Sequence, residues 1–63
     1  MTITNNKANE VFNEVKERGT LVKEERGAIT YNLDGWTYTF FFCNGIKKIE
    51  ESNHREFIEV WVK

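Results

Sequence analysis

The first apolar residues of the chain recur with the spacing of an α-helix. They lie at positions i, i+3, i+4 and i+7 and are Ala8, Val11, Phe12 and Val15. Charged side chains occupy positions between them, so one face of the predicted helix is apolar and the other is solvated. We therefore predict a helix over residues 5–18, preceded by a short flexible tail at residues 1–4.

Both ends of this helix carry capping signals. Three residues at its start have a side-chain oxygen that can accept a hydrogen bond from a free backbone N–H, namely Thr4, Asn5 and Asn6. Gly19 follows Arg18, and a glycine just past a helix commonly adopts the left-handed conformation that terminates it. The sequence thus predicts a helix end at about Arg18 with Gly19 left-handed.

From Thr20 onward the hydrophobic period changes to two, and β-branched and aromatic residues dominate. Two residue pairs typical of tight hairpins divide this region, Asp34-Gly35 and Asn44-Gly45. A shorter strand over residues 20–24 precedes them. These signals predict an antiparallel β-meander.

The two turns independently predict the same apolar face. With two-residue turns the facing pairs are Leu33 with Trp36, Tyr31 with Tyr38, Ile29 with Phe40, Phe40 with Ile49, and Phe42 with Lys47. A one-residue slip would invert every side chain, so this agreement favours the assignment. We expect the helix to cover this face. The opposite face is mostly polar but carries an uncovered apolar cluster of Phe41, Cys43 and Ile46.

Residues 57–63 fit either of two elements. The alternation of a strand is formed by Ile58, Val60 and Val62. A helix would instead align Phe57, Ile58, Trp61 and Val62, and Asn53 with Glu56 imitates a helix capping box. The density of β-branched and aromatic residues favours the strand, whose second apolar face would then be formed by Phe57 and Trp61.

These patterns predict an α+β fold in which one N-terminal helix packs on a three- to five-stranded antiparallel β-meander. We expect residues 1–63 to form a single domain, which at this size buries only about 60% of the surface that its unfolded chain exposes. The single cysteine permits no intramolecular disulfide, and Cys43 with His54 cannot supply the ligands of a zinc site. Oligomerisation is the remaining common way to stabilise so small a domain.

The charge balance limits the partners. Nine basic and ten acidic residues give a net charge of −1, which lacks the basic excess of a non-specific nucleic-acid binder. The sequence contains no apolar run long enough to span a membrane and no signal peptide, so we expect a cytoplasmic protein without a membrane partner.

Three sets of residues have the chemistry of catalytic or nucleic-acid sites. Cys43 and His54 are the only residues that could form a pair of a thiolate nucleophile and an imidazole base. A cysteine at a strand end among aromatic residues is, however, usually a small buried hydrophobe. Acid–base catalysis would have to use Glu50, Glu51, Glu56 and Glu59, and a small meander has little room for the cleft that it requires. Base stacking would use Trp36, Tyr38, Phe40 and Phe42 with Lys47 and Lys48, but the helix is expected to cover those aromatic residues.

The surplus of apolar residues is the feature that favours a function. One helix cannot cover both the last strand and the Phe41 cluster, and exposed patches of this kind usually mark interfaces. We therefore expect a non-enzymatic protein-interaction module that forms a homodimer and binds a protein partner, as an inhibitor from a phage or mobile element that blocks a host defence protein would do. The expected interface residues are Phe41, Ile46, Phe57 and Trp61. We expect no catalytic residue, metal or cofactor; the alternative is a small nucleic-acid-binding regulator.

Overall fold

A computed structural model describes residues 1–63. The elements along the chain are β1 (Thr2–Ile3), α1 (Asn5–Arg18), β2 (Thr20–Glu25), β3 (Ala28–Leu33), β4 (Trp36–Phe42), β5 (Ile46–Ser52) and β6 (Phe57–Val62). The strands form one six-stranded sheet in the order β1-β6-β5-β4-β3-β2. All neighbouring strands are antiparallel except β1 and β6, which are parallel. The α+β prediction is confirmed, with one strand more than its upper limit.

Helix α1 has the predicted bounds and packs through the predicted stripe. Thr4 is its N-cap, and the Oγ1 atom of Thr4 accepts a hydrogen bond from the Lys7 backbone N–H at 3.1 Å. Ala8 and Val15 are buried, and Phe12 places its ring edge-on against Phe40 with centroids 5.0 Å apart. The helix is therefore held to the sheet by its apolar face.

Gly19 ends α1 in a different way from the prediction. Its backbone is extended, with φ −93° and ψ −177°, and its N–H donates to the Val15 carbonyl at 2.8 Å. A Cβ atom here would lie 2.7 Å from the carbonyl oxygens of both Val15 and Asn32. The position excludes a side chain because the helix end and β3 approach each other closely.

The β3–β4 hairpin has the predicted register, with Leu33 opposite Trp36 and Ile29 opposite Phe40. Its two turn residues have positive φ, 53° at Asp34 and 81° at Gly35. Positive φ at both central residues is the requirement of a type I′ turn. The first hairpin was thus predictable from the sequence alone.

The β4–β5 hairpin agrees with the prediction only away from its turn. Phe40 lies opposite Ile49 as expected, but a β-bulge shifts the register so that Phe42 faces Ile46 instead of Lys47. The loop is three residues long, 43–45. The bulge turns Ile46 to the helix side, where it is 3% exposed. The prediction that Ile46 belongs to an uncovered surface is therefore wrong.

Residues at both ends of the chain pair with each other. The C-terminal segment is a strand, as favoured, and β6 lies between β5 and β1. The predicted tail is instead partly a strand, because Thr2 pairs with Trp61 and Ile3 with Val62. The capping-box signal before β6 belongs to a turn, in which Asn53 Oδ1 accepts from the Glu56 backbone N–H at 2.8 Å.

The core lies between α1 and one face of the sheet. Its buried side chains are Ala8, Val15, Tyr31, Phe40, Ile46, Ile49 and Val60. Trp36, which we expected beneath the helix, is half-buried and lies outside this cluster. No helix has the length and apolar content needed to cross a membrane.

Candidate interaction surface

The sheet face opposite α1 is the face that no element covers, and we call it the open face. Strand pairing arranges its side chains in three rows across the sheet. The first row is Thr2, Trp61, Lys48, Phe41, Ala28 and Glu25. The middle row is Glu59, Glu50, Thr39, Thr30 and Lys23. The third row is Phe57, Ser52, Thr37, Asn32 and Thr20.

Lys48 lies at the centre of the first row between two aromatic rings. Its Nζ atom is 4.7 Å from the centroid of Phe41 and 5.1 Å from that of Trp61, both within cation–π range. The same ammonium lies 3.0 Å from a carboxylate oxygen of Glu50 and 3.6 Å from one of Glu59. The hydrogen bond to Glu50, reinforced by the charges of Glu50 and Glu59, raises the pKa of Lys48. The Lys48 side chain therefore remains a cation at neutral pH.

In the half of the open face formed by β3 and β4, the side chains other than Phe41 are small and uncharged, and four of them form hydrogen bonds with one another. The hydroxyls of Thr30 and Thr39 share a hydrogen bond at 3.1 Å, and Thr37 donates to Asn32 Oδ1 at 3.1 Å. Ala28 is the smallest side chain of this half. The open face is thus divided into a charged, aromatic half on β5 and β6 and a flat, neutral half on β3 and β4, with Phe41 at the boundary.

Three of the four residues that the sequence predicted as an interface lie on the open face. Trp61 is 50% exposed, Phe57 is 61% exposed, and Phe41 is half-buried against Lys48. Phe41 and Trp61 meet on either side of Lys48, whereas Phe57 lies in the third row, and Ile46 is in the core. Sequence reasoning missed Lys48 as the residue that joins them. Pairing β6 with β5 through the loop at residues 53–56 would have placed it opposite Trp61.

The two edges of the sheet are poor sites for adding another strand. All six residues of β2 are exposed, but the strand is bulged between Leu21 and Lys23 and carries three charged residues in succession. Bulges and charges are the usual means by which edge strands avoid pairing with other chains. The opposite edge consists of β1, which is only two residues long, and of residues 57–60 of β6, which β1 does not pair. This unpaired stretch is short and carries the charged Glu59. An interface therefore fits the open face better than either edge.

The structure separates the residues that the sequence offered for catalysis. Cys43 is exposed in the β4–β5 loop, not buried as expected, and His54 lies in the β5–β6 loop at the other end of β5. Glu50 and Glu59 face each other on the open face, and Glu56 lies in a loop. The structure contains no pocket and no group of three or more side chains placed to hold a metal ion.

Glu51 is the one glutamate of β5 that points to the helix side. It lies opposite Tyr38 on β4 and Ile58 on β6. Burial raises the pKa of the Glu51 carboxyl. The pKa of the Tyr38 hydroxyl is also raised, mainly by burial and secondly by the negative charge of Glu51. No hydrogen bond to Glu51 compensates this burial, so its ionised form is destabilised in the folded protein.

The aromatic residues proposed for base stacking belong mainly to the helix-side face. Phe40 is fully buried and stacks with Tyr38, and Phe42 packs against Phe12.

No family model matches the chain, and neither a curated protein nor a solved structure matches it. A function must therefore be inferred from the surface itself.

Proposed function

We propose that this protein is a non-enzymatic protein-interaction module that self-associates through its open face. The observation that carries the proposal is the position of Trp61, half exposed on an uncovered sheet and fixed beside Lys48 and Phe41. A six-stranded sheet with a helix on only one side leaves its second face accessible to another molecule.

The exposed aromatic area is large enough to contribute to binding. A Trp side chain has about 200 Å² of surface, so burying the exposed half of Trp61 would contribute about 2.5 kcal/mol at 25 cal/mol per Å². Trp is also strongly enriched among residues that dominate interface energetics. Trp61 is therefore the expected anchor of the interface, with Phe41 on the other side of Lys48 and Phe57 in the third row as further contact residues.

Sedimentation equilibrium from micromolar concentration upward tests self-association. We expect the wild type to approach twice the 7.5 kDa chain mass, and Trp61→Ala to shift the equilibrium to the monomer. Leu21→Ala is the matched control, because Leu21 is 53% exposed but lies off the open face. A wild type that sediments at 7.5 kDa throughout would end the homodimer proposal.

The finer form of the proposal is that the module is an inhibitor, carried by a phage or mobile element, that occupies and blocks a host defence protein. Its support is the small size, the single compact unit and the exposed aromatic surface. Affinity capture from host extracts with wild type, Trp61→Ala and Leu21→Ala tests it. A partner retained by the wild type and Leu21→Ala but lost by Trp61→Ala is expected. A partner retained equally by all three would argue against use of the open face.

A second candidate function is nucleic-acid binding, because Lys48 between Phe41 and Trp61 places a cation among rings on an exposed sheet. The charges oppose it, since Glu50 and Glu59 already engage that cation and would repel phosphates. A salt titration of binding to mixed DNA and RNA oligonucleotides separates the candidates. Steeply salt-dependent binding would favour nucleic acid.

A further inference from the structure

We propose that the open face is occupied by a second copy of this chain, packed sheet on sheet about a two-fold axis that runs along the strands between β4 and β5. In this arrangement Trp61 of each copy lies on Ala28 of the other. The inference rests on the self-association proposed above and specifies its geometry.

The rows of the open face make this axis self-complementary. Rotation about this axis places each row over the same row of the partner and reverses the order of the strands. Strand β6 then lies over β3 of the partner, and β5 lies over β4 of the partner. In the first row, the largest side chain, Trp61, then faces the smallest, Ala28, three strands away in its own sheet. Lys48 faces the ring of the partner's Phe41, which continues the cation–π contact already present within one copy.

The acidic residues decide the orientation. About the proposed axis, Glu50 lies over Thr39 of the partner and Glu59 over Thr30, both neutral hydroxyl residues of the middle row. The other two-fold axis that lies between the two sheets runs across the strands. It places each strand over the same strand of the partner. Glu50 would then face Glu50 and Glu59 would face Glu59. Directly opposed like charges are unfavourable, so the axis along the strands is preferred.

The available area also suits a second copy. The five longer strands, each about 4.8 Å wide, and the three rows, each about 7 Å wide, give a face of about 24 by 20 Å. Two such faces bury about 1,000 Å², the lower limit for a specific interface.

A size-swap experiment tests the contact. Trp61→Ala removes the large side chain of the contact, and Ala28→Trp fills the space that the Trp61 side chain of the other copy occupies. Each variant should therefore weaken dimerisation at least tenfold. The double variant restores one large and one small residue at each contact, and its dissociation constant should return to within about threefold of the wild type. Residues 28 and 61 are about 14 Å apart within one sheet, so this rescue requires contact between copies.

A distance measurement tests the axis without changing the aromatic residues. In a Cys43→Ser background, a spin label on Lys23→Cys reports the separation of the two β2 strands. The proposed axis places them at opposite edges, about five strand spacings and one sheet spacing apart, or about 26 Å. The axis across the strands would bring them within about 15 Å.

The outcomes separate this inference from the proposed function. A dimeric wild type with rescue by the double variant and a long label distance supports the geometry. A dimeric wild type with no rescue, or with a short label distance, overturns the geometry but leaves self-association in place. A monomeric wild type overturns both.

Discussion

The ring of Phe12 lies edge-on to the ring of Phe40, with centroids 5.0 Å apart and planes at 78°. Phe40 is fully buried, and Phe12 of α1 contacts it. We expect Phe12→Ala to lower the free energy of unfolding by about 3 kcal/mol, the low end of the range for such changes because Phe12 is only half-buried. Denaturant unfolding measures it, with Asn13→Ala on the exposed side of α1 as control. An unchanged midpoint would mean that α1 is not packed through this ring.

Two glycines should resist substitution for different physical reasons. Gly19 has ordinary φ but no room, so Gly19→Ala should cost about 2 to 3 kcal/mol through overpacking. Gly35 has open space but φ +81°, so Gly35→Val should cost about 1 to 2 kcal/mol through backbone strain. A chemically synthesised chain with D-alanine at position 35 should be as stable as the wild type or more so. Destabilisation by D-alanine would show that the turn does not depend on positive φ.

Glu51 should make the protein less stable as pH rises from acid. Burial raises the pKa of its carboxyl in the folded state, so the folded protein binds the proton more tightly than the unfolded chain does. Stability attributable to Glu51 is therefore highest below about pH 4 and is lost as pH rises through the folded-state pKa. Glu51→Gln should raise the melting temperature at pH 7, and the difference from wild type should shrink toward pH 3.5. A difference that is constant with pH would exclude this ionisation as its cause.

The positive charge of Lys48 should stabilise the sheet by offsetting the repulsion between two carboxylates. Glu50 and Glu59 are direct cross-strand partners, and the Lys48 ammonium lies within 3.6 Å of both. Lys48→Met keeps the aliphatic chain but leaves the repulsion, so its melting temperature should fall in low salt and recover partly in 1 M salt. Lys47→Met is the control, because Lys47 is the exposed bulge residue. An equal loss at both salt concentrations would assign the effect to packing rather than charge.

The parts of the fold that depend on local sequence signals were predictable. The stripe from Ala8 to Val15 fixed the helix, and Asp34-Gly35 fixed the first hairpin and its register. The bulge at Phe42 was not predictable, because Asn44-Gly45 fits both a two-residue turn and a three-residue loop. That single ambiguity placed Ile46 on the wrong face.

The open face was only partly predictable because it is assembled from distant segments. The sequence indicates both Phe41 and Trp61 as interface residues, but their contact with Lys48 depends on how β6 pairs with β5. Likewise, no local pattern marks Thr2 and Ile3 as a strand, since they pair with residues near the other end of the chain. The sequence identifies Gly19 as a helix terminator, but it does not show that a side chain there would meet the carbonyl oxygens of Val15 and of Asn32 on β3.

The pairing of β1 with β6 has a consequence for the folding pathway. Strands β2 to β6 each pair with a sequence neighbour, so their loops close with little loss of chain entropy. The Thr2–Trp61 and Ile3–Val62 pairs enclose almost the entire chain and share the longest sequence separation of the paired residues in the sheet. Contacts of this kind form late when local ones are available. The meander should therefore be established in the folding transition state before β1 docks, and substitutions at Ile3 should accelerate unfolding while leaving the folding rate nearly unchanged.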